Sequence, residues 1–304
     1  MLTDLLYGQG IAVVARDANG TIHRAARGFT TETVSYSASL SKQMVGVCAA
    51  VLAVDVETPI RDWLPELPPW ADVVRIRHLL HHTSGLPGDG ELNERIGALR
   101  WDTPSVLQAL TECPAPRFSP GTAHEYCNAG YICLATILAR LADTPFADLA
   151  HRLLFEPLGM RHTKFCAVEA DIPPDAAPAG HTDDHEWPPL PLSLGDGGAW
   201  TTAEDLHRWN EALLPGGAFD ERVRTLVHTP GSLDDGRPLD YAWGVGVSVE
   251  NGVLTHSHGG NWPGWVAKAV RLPDLGITFA ALSNDDSVSR MVDLTNRVLD
   301  RLRP

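Results

Sequence analysis

Two short stretches near the start of the chain have the apolar pattern of β-strands. They lie in residues 10–29, GIAVVARDANGTIHRAARGF, on either side of Asp17-Ala18-Asn19-Gly20. Asn-Gly between two such runs is a strong signal for a tight hairpin turn. The pattern therefore predicts two antiparallel strands.

From about residue 37 to residue 160, the apolar residues recur instead at the spacing of α-helices. SASLSKQMVGVCAAVLAV (37–54) predicts a helix with serines in its first turn. Further helical segments alternate with proline-rich loops, namely RIRHLLHH, TPSVLQALTEC, NAGYICLATILARLADT and PFADLAHRLLFEPLG. Residues 167–200 are rich in Pro, Gly and Asp and are predicted to form a long loop or an irregular hairpin.

The last third of the chain returns to strands after one well-marked helix, TTAEDLHRWNEALL. The predicted strands are YAWGVGVSVENG, VLTHSHGG, WVAKAVRLP and GITFAALSN, and VDLTNRVLDRLR closes the chain as a helix. The order is strands, a helical block, then strands and a terminal helix. If the first and last strands share a sheet, the helical block is an insertion between sheet segments.

Composition narrows the class of protein. The 304 residues are 44% hydrophobic and 20% charged, which is typical of a globular protein of one large or two interleaved lobes. A net charge of −14 disfavours a surface for nucleic acid or for an anionic membrane. The five cysteines show no CxxC spacing and are interpreted as small buried residues in a reducing compartment.

The sequence shows no targeting or membrane signal. MLTDLLYGQGIAVVARD lacks the basic and long apolar regions of a signal peptide. No apolar run reaches the roughly 20 residues that a membrane span needs. We therefore predict a cytoplasmic protein without a membrane partner, with a secreted mature form as the alternative, and the sequence leaves the oligomeric state open.

The first candidate for chemistry is the pair Ser39 and Lys42. The chain has only three lysines against 21 arginines, and Lys42 begins an apolar helix. On a helix these two side chains share a face, with Cβ atoms about 5–6 Å apart. A desolvated lysine can be neutral and can take the proton of a hydroxyl. The alternative is that Ser39 or Ser41 caps the helix while Lys42 is exposed.

The second candidate is Tyr126-Cys127-Asn128, where a Pro/Gly loop meets a helix start. Tyr126 could relay protons to and from Ser39, and Asn128 offers a donor and an acceptor to a substrate amide or to Lys42. The alternative is an N-cap asparagine beside a half-buried tyrosine.

The third candidate is His258-Gly259-Gly260, which follows a strand-like run. Paired glycines in a strand indicate a bulge or the close approach of a ligand to the backbone. Backbone N–H groups here could bind an oxyanion together with that of Ser39. The alternative is a hairpin turn with a surface histidine.

Together these motifs resemble the active site of one family. They occur in the order Ser39-x-x-Lys42, Tyr126-x-Asn128 and His258-x-Gly260. In this order they resemble the three motifs of serine β-lactamases and penicillin-binding-protein-like hydrolases, closest to class C β-lactamases, β-lactamase-like esterases and D-aminopeptidases. The segments HLLHHTSGLP, FSPGTAHEYCNAGY, GDGGAWTTAEDLHRW and HGGNWPGW resemble that family too.

The resemblance implies an α+β fold, with an antiparallel sheet flanked by helices and an inserted, mostly helical lobe. A single catalytic domain would cover residues 1–304. Its α/β lobe would comprise about 1–55 and 196–304, and its helical lobe about 56–195. The active site would lie between the lobes.

The resemblance also assigns roles to the matching residues. Ser39 would be the nucleophile, Lys42 its base and Tyr126 the proton relay, while Asn128 would hold the substrate. His258 would occupy the strand position that lysine fills in many relatives. The oxyanion hole would be the backbone N–H groups of Ser39 and of Asn261, which follows Gly259 and Gly260.

The third motif departs from the family, because His-Gly-Gly replaces Lys-Thr-Gly. Lys268 is not expected to fill the gap, since it lies ten residues beyond His258. A neutral histidine binds a carboxylate less well than a lysine does, which disfavours β-lactams as substrates. We therefore predict a serine hydrolase of small esters or of D-amino-acid or peptide amides, without cofactor or metal.

Four other functions remain open. They are an acyltransferase or cyclase on the same scaffold, a β-lactamase or D,D-peptidase, a non-catalytic penicillin-recognising protein, and a metallohydrolase built on HTDDHEW (181–187). For HTDDHEW we favour a solvated acidic loop, because adjacent residues on a flexible loop give poor metal geometry.

Overall fold

The computed structural model of the chain describes residues 2–8, 10–97, 100–180, 189–250, 252–285 and 287–303. The strands in these ranges are β1 (Ile11–Arg16), β2 (Ile22–Arg27), β3 (Ser35–Tyr36), β4 (Lys164–Phe165), β5 (Ala199–Thr201), β6 (Gly246–Glu250), β7 (Val253–Trp262), β8 (Trp265–Leu272) and β9 (Ile277–Ser283).

The α-helices are α1 (Ser41–Val51), α2 (Ile76–Leu80), α3 (Asp89–Ile96), α4 (Thr103–Thr111), α5 (Asn128–Leu141), α6 (Phe146–Ala150), α7 (Ala203–Leu213), α8 (Glu221–His228) and α9 (Val288–Leu302). Short 3-10 turns occur at Thr3–Leu5, Ala38–Leu40, Ile60–Asp62, Pro69–Asp72, Glu169–Asp171 and Pro273–Leu275. A π-helical turn, His151–Phe155, continues α6.

The main sheet combines strands from both ends of the chain. Its order is β2-β1-β9-β8-β7-β6, and all neighbouring strands are antiparallel. The predicted hairpin is confirmed, since Gly20 N–H donates to the Asp17 carbonyl at 3.0 Å. The predicted antiparallel sheet flanked by helices is therefore confirmed, while the predicted lobe boundaries stay a prediction.

Strand β9 lies at the centre of the core and is buried on both faces. Ile277, Phe279 and Ala281 pack with the apolar side of α9. Ala280 and Leu282 point the other way, into the core that contains residues of α1, α5 and α7. Complete burial of one large side chain such as Phe279 contributes roughly 1.5–3 kcal/mol. The sheet is thus a layer between two sets of helices.

Two predicted elements differ in extent from the structure. The strand predicted from Tyr241 begins only at Gly246. A Cβ at Gly244, which has φ +82, would lie 2.3 Å from the Lys42 carbonyl oxygen, so the segment before β6 packs against α1 instead. The terminal helix starts at Val288, where Ser287 caps it by accepting from Arg290 N–H, rather than at Val292.

Three further features of the chain concern its cysteines, its helices as membrane spans, and its metal-binding side chains. All five cysteines are free and buried, as the composition suggested. Among the described helices, none combines the length and the apolar character that crossing a bilayer requires. HTDDHEW (181–187) lies outside the described residues, and within the ranges given above no group of three or more His, Cys, Asp or Glu side chains is placed to hold a metal ion.

Candidate active site

Ser39 lies in the 3-10 turn Ala38–Leu40, immediately before α1. The sequence predicted Ser39 in the first turn of the α-helix, but the helix begins at Ser41. Ala38 has a φ of 46°, in the left-handed region that costs a residue with a side chain of order 1–3 kcal/mol. Backbone strain of this kind is concentrated at functional sites.

The three serines around this turn have different partners. Ser37 Oγ donates to a carbonyl oxygen of β5 at 2.8 Å, and Ser41 Oγ donates to the Ala38 carbonyl at 2.7 Å. Ser39 Oγ instead lies 3.1 Å from Lys42 Nζ. The alternative that Ser39 is a helix cap is therefore wrong.

Lys42 is fully buried, so the alternative of an exposed lysine is also wrong. Besides Ser39, its Nζ contacts Asn128 Oδ1 at 2.7 Å and the Asp196 carbonyl oxygen at 2.7 Å. Both of these oxygens only accept hydrogen bonds. As an ammonium group, Lys42 donates to all three oxygens. Once it gives up a proton, the amine keeps two N–H groups for the two carbonyl oxygens, and its lone pair would then face the Ser39 hydroxyl.

Tyr126 stands at the open side of this group. Its side chain is 44% exposed, and its ring centroid lies 4.9 Å from Lys42 Nζ. The ring also packs on the buried His82 ring, with centroids 4.3 Å apart. Tyr126 and Ser39 line the same cavity. The phenol is thus held beside the amine and open to a bound molecule.

Asn128 is the first residue of α5, and the N-cap position belongs to Cys127, whose side chain makes no cap hydrogen bond. Asn128 Oδ1 accepts from Lys42, and its Nδ2 donates to Asp89 Oδ2 at 2.6 Å. The alternative of a capping asparagine is therefore wrong. Asn128 instead forms hydrogen bonds to both the Lys42 amine and the Asp89 carboxylate.

His258 is buried inside β7, which contradicts the alternative of a surface histidine in a turn. Burial, and after it the charge of Lys42, lowers the pKa of His258 to about 3. The neutral ring has one N–H. Nδ1 lies 2.6 Å from the Gly259 carbonyl, so Nδ1 donates and Nε2 accepts from the Tyr241 hydroxyl at 3.1 Å. Both ring nitrogens are thus occupied within the protein.

Gly260 brings β7 against the turn that carries Ser39. A Cβ at this position would lie 2.0 Å from the Ser37 carbonyl oxygen, so no larger residue fits without movement. At Gly259 the nearest atom to a Cβ would be at 3.7 Å, an ordinary contact. The predicted close approach is therefore to protein backbone and occurs at Gly260. Asn261 follows on the same strand, at the edge of the site.

Two cavities meet at Ser39 and Asn261. The Asp89 cavity, of about 100 Å³, includes Ser39, Asp89, Asn128, Asp196, Trp101 and Trp262 in its lining. The Lys268 cavity, of about 300 Å³, includes Ser39, Tyr126, Gly259, Val266, Lys268 and Met291. The volume of the Lys268 cavity is at the lower end of the range typical of small-molecule sites.

The structure adds residues that the sequence had not singled out. Burial raises the pKa of Asp89, and the nearby Asp196 raises it further, against the hydrogen bond from Asn128. Burial keeps the pKa of Tyr241 well above its usual range, so its hydroxyl is a donor to His258. Asp196 acts on Lys42 through its backbone, which no residue-type signal reveals. In the sequence, Asp196 stood out only as part of the family-like segment GDGGAWTTAEDLHRW, and Tyr241 only as the start of a predicted strand.

Cysteine and tryptophan side chains near the motifs lie outside the set of reacting residues. Cys127 is buried and its Sγ lies 3.6 Å from the Pro87 carbonyl oxygen. Trp262 lines the Asp89 cavity, whereas Trp200 and Trp265 pack with Tyr36 in a small core cluster. Trp187 lies outside the described residues.

Known proteins resemble this chain over most of its length. Penicillin-binding protein 4* of Bacillus subtilis (strain 168) is 28% identical over 293 residues, covering 86% of this chain and 62% of that protein. Esterase EstB of Burkholderia gladioli is 31% identical over 206 residues, covering 61% of this chain and 50% of the esterase. The chain thus spans between one half and two thirds of the length of these relatives.

Solved structures and a family profile agree with the sequence comparison. The crystal structure of D-amino acid amidase from Ochrobactrum anthropi SV3 aligns with a TM-score of 0.82 at 21% identity, covering 99% of this chain and 100% of that one. This likeness shows a shared fold. The profile of the family described as Beta-lactamase matches residues 5–302. With that match over nearly its whole length, the chain belongs to the beta-lactamase family.

Proposed function

We propose that this chain is a serine hydrolase that forms an acyl-enzyme on small esters or amides. Ser39 is the nucleophile, Lys42 its base and Tyr126 the proton relay. The observation that carries the proposal is the set of three contacts at Lys42 Nζ, because the two carbonyl oxygens leave only Ser39 to face the lone pair. An amine held in this way can accept the proton of the attacking hydroxyl.

The reaction then runs in two halves. Ser39 Oγ forms a bond to the carbonyl carbon while its proton passes to Lys42 Nζ. Backbone N–H groups of Ser39 and Asn261 donate hydrogen bonds to the developing oxyanion. The C–O or C–N bond breaks as the proton moves through Tyr126 to the leaving group. Water then attacks the acyl carbon while its proton passes to the same groups. The bond between Ser39 Oγ and the acyl carbon breaks, the proton returns to Ser39 Oγ, and the acid leaves.

The Asp89 cavity supports an amino-bearing acyl group. Asp89 and Asp196 line it together with the rings of Trp101 and Trp262. Carboxylates and aromatic faces both attract a protonated amine. The neutral His258 adds no positive charge for a carboxylate. These features favour D-amino-acid or peptide amides, and small esters, over β-lactams.

The similar proteins fit the same range of chemistry, since their names include an esterase and a D-amino acid amidase. The acyl acceptor separates a hydrolase from the alternative acyltransferase or cyclase, and we propose water. A penicillin-recognising protein without catalysis would not need the base or the phenol. Cytoplasmic location, a small-molecule substrate and the absence of a cofactor remain parts of the proposal.

A covalent probe tests the mechanism. We expect a fluorophosphonate to label the chain at Ser39 and the label to vanish in Ser39→Ala. Lys42→Ala should lower p-nitrophenyl acetate turnover by about 10⁴-fold or more, because it removes the amine that lies within hydrogen-bond distance of the Ser39 hydroxyl. Lys164→Ala is the matched control, since Lys164 is exposed on β4. Wild-type turnover in Lys42→Ala would refute the mechanism.

A further inference from the structure

His82, which follows α2, is attached to the residues on both sides of Tyr126. Its backbone carbonyl accepts a hydrogen bond from Glu125 N–H at 2.9 Å. Its ring Nδ1 accepts a second one from Cys127 N–H at 3.1 Å. His82 itself is fully buried. One buried residue therefore fixes the backbone immediately before and immediately after the phenol of the proposed proton relay.

The ring of His82 also supports the phenol directly. The Tyr126 ring packs on it with centroids 4.3 Å apart. The rings of Tyr241 and His258 lie farther from Tyr126, with centroids at 6.4 Å and 6.2 Å. Because the Tyr126 side chain is 44% exposed, these packing contacts on its buried side determine where it stands relative to Lys42 Nζ, 4.9 Å from its centroid.

The neutral form of His82 supplies the acceptor. Burial, and after it the charge of Lys42, keeps the pKa of His82 well below its usual range. A neutral imidazole has one N–H and one acceptor nitrogen. Since Nδ1 accepts from Cys127 N–H, the proton of the ring is on Nε2.

His82 has two unfavourable features in this position. Its φ of 56° lies in the left-handed region, which residues with a side chain adopt uncommonly, although histidine and asparagine do so more often than most. Its Nε2 is buried and has no hydrogen-bond partner in the part of the chain that the structure describes. Backbone strain and unpaired buried groups of this kind are concentrated at functional sites.

We propose that His82 is a positioning residue that holds the Tyr126 hydroxyl between Lys42 and the leaving group. In acylation, a proton passes from the Lys42 ammonium group to the Tyr126 oxygen while the hydroxyl proton of Tyr126 passes to the leaving-group atom. Both transfers need hydrogen-bond distance, so a shift of the phenol by about 1 Å can cost about 100-fold in rate. The inference rests on the proposed function for the reaction, while the placement of the phenol can be measured without turnover.

His82→Asn removes the ring and keeps the other features of the site. The Oδ1 of asparagine is bonded to Cγ, as Nδ1 of histidine is, so it can accept from Cys127 N–H. Asparagine also adopts the left-handed region readily. His124→Asn, at an exposed position of the same loop, is the matched control. Labelling of Ser39 by a fluorophosphonate counts the folded sites in each variant, because fluoride leaves without a proton from Tyr126.

Two acetate esters separate positioning from a general loss of structure. p-Nitrophenyl acetate and ethyl acetate give the same acyl-enzyme, but p-nitrophenolate leaves as an anion whereas ethoxide needs a proton as it leaves. We expect His82→Asn to lower kcat/KM per labelled site by about 100-fold for ethyl acetate and by less than about tenfold for p-nitrophenyl acetate. A structural role alone would lower both equally, and His124→Asn should change neither.

The Tyr126→Phe background shows whether His82 acts through the phenol. Residues that act as one unit have non-additive effects on rate. We therefore expect His82→Asn to lower the ratio of kcat/KM, ethyl acetate over p-nitrophenyl acetate, in the wild-type chain but no further in Tyr126→Phe. The same fold loss of this ratio in both backgrounds would overturn the role of His82.

The remaining outcomes separate the two proposals. An unchanged ratio in His82→Asn, with wild-type turnover intact, would overturn the positioning role and leave the hydrolase in place. A wild-type chain that neither labels nor turns over either ester would refute the hydrolase. In that case a crystal structure of His82→Asn decides the placement: a Tyr126 ring displaced from Lys42 Nζ supports it, and a centroid still 4.9 Å away overturns it. Should His82→Asn fail to fold, His82→Gln, which also lacks the ring, replaces it in each measurement.

Discussion

The Asp89 cavity and the Lys268 cavity share Ser39. They differ in the charge of the groups that line them and in the side chains that form their walls. Two carboxylates and two indole rings surround the first, whereas the second has valine and methionine side chains and one ammonium group. The same nucleophile therefore faces opposite electrostatic environments on its two sides. Chemistry and selectivity are carried by different residues, as is common on folds that support many activities.

The two cavities also differ in how they are built. The Asp89 cavity is lined by residues of α3 and α5 and by loop residues such as Trp101 and Pro191. The Lys268 cavity is formed by paired strands and α9, which are part of the core. Loops tolerate change more readily than a paired sheet does. We infer that the Asp89 side is the easier one to alter in selectivity.

Among substitutions outside the three reacting residues, the largest effect is expected from Gly260→Ala, which acts on both cavities at once. Its methyl group would meet the Ser37 carbonyl oxygen and push β7 away from the Ser39 turn. A displacement of about 1 Å can cost about 100-fold in rate, and we expect that loss in kcat for every substrate. The free energy of unfolding should fall by about 1–3 kcal/mol.

Gly259→Ala is the matched control for this prediction. Its methyl group has only ordinary contacts and points into the Lys268 cavity. We expect the free energy of unfolding to stay within about 0.5 kcal/mol of wild type. If Gly260→Ala kept the wild-type kcat, the close approach of β7 would not be needed for catalysis.

A smaller effect, confined to one cavity, is expected from Asp89→Asn. The amide oxygen can still accept from Asn128 Nδ2, so the hydrogen bond survives while the charge is lost. We expect the ratio of kcat/KM between a D-amino-acid amide and its deaminated analogue to fall about tenfold. Asp175→Asn, at an exposed loop position, is the control. An unchanged ratio would show that the Asp89 cavity does not select substrates by the positive charge of their amino group.

The smallest effect is a difference in the pH dependence of stability. The pKa of His258 is lowered to about 3. Below about pH 6.5 this histidine therefore binds a proton in the unfolded state but stays neutral in the folded state. Stability from the neutral ring is therefore lost as pH falls from about 6.5 to about 3. One such proton corresponds to about 1.4 kcal/mol per pH unit.

His258→Gln isolates this contribution from other buried histidines. Between about pH 6 and pH 4, the slope of unfolding free energy against pH should be about 1 kcal/mol per unit shallower than in wild type. The raised pKa of Asp89 acts with the opposite sign, because its stability contribution is lost as pH rises. Equal slopes in wild type and His258→Gln would mean that the ring is protonated in the folded chain.

Local sequence signals were reliable where a few neighbouring residues decide the outcome. Asn19-Gly20 predicted the β1–β2 hairpin, and the spacing of Ser39 and Lys42 predicted their contact. Even so, the sequence placed Ser39 inside an α-helix, since strain at Ala38 and the approach of Gly260 depend on other strands. Helix propensity depends on the residues of the segment itself and does not include the contacts made by other elements that pack on it.

Separation along the chain is a poor guide to position in this sheet. Lys268 was set aside because ten residues separate it from His258, yet the β7–β8 register places it opposite Gly259. Strand pairing converts a separation in sequence into direct contact whenever a turn lies midway. The register itself depends on which face of each strand is buried, and one sequence gives that only in part.

The sequence by itself determined the kinds of residue available for chemistry and their order: a serine and a lysine one turn apart, a tyrosine and an asparagine at a helix start, and a glycine pair in a strand. The tertiary structure decided which atoms face one another. It directed two carbonyl oxygens to Lys42, fixed the neutral tautomer of His258 and brought Lys268 to the cavity. Residue type sets what a group can do, while desolvation and hydrogen-bond geometry, which come from packing, set what it does.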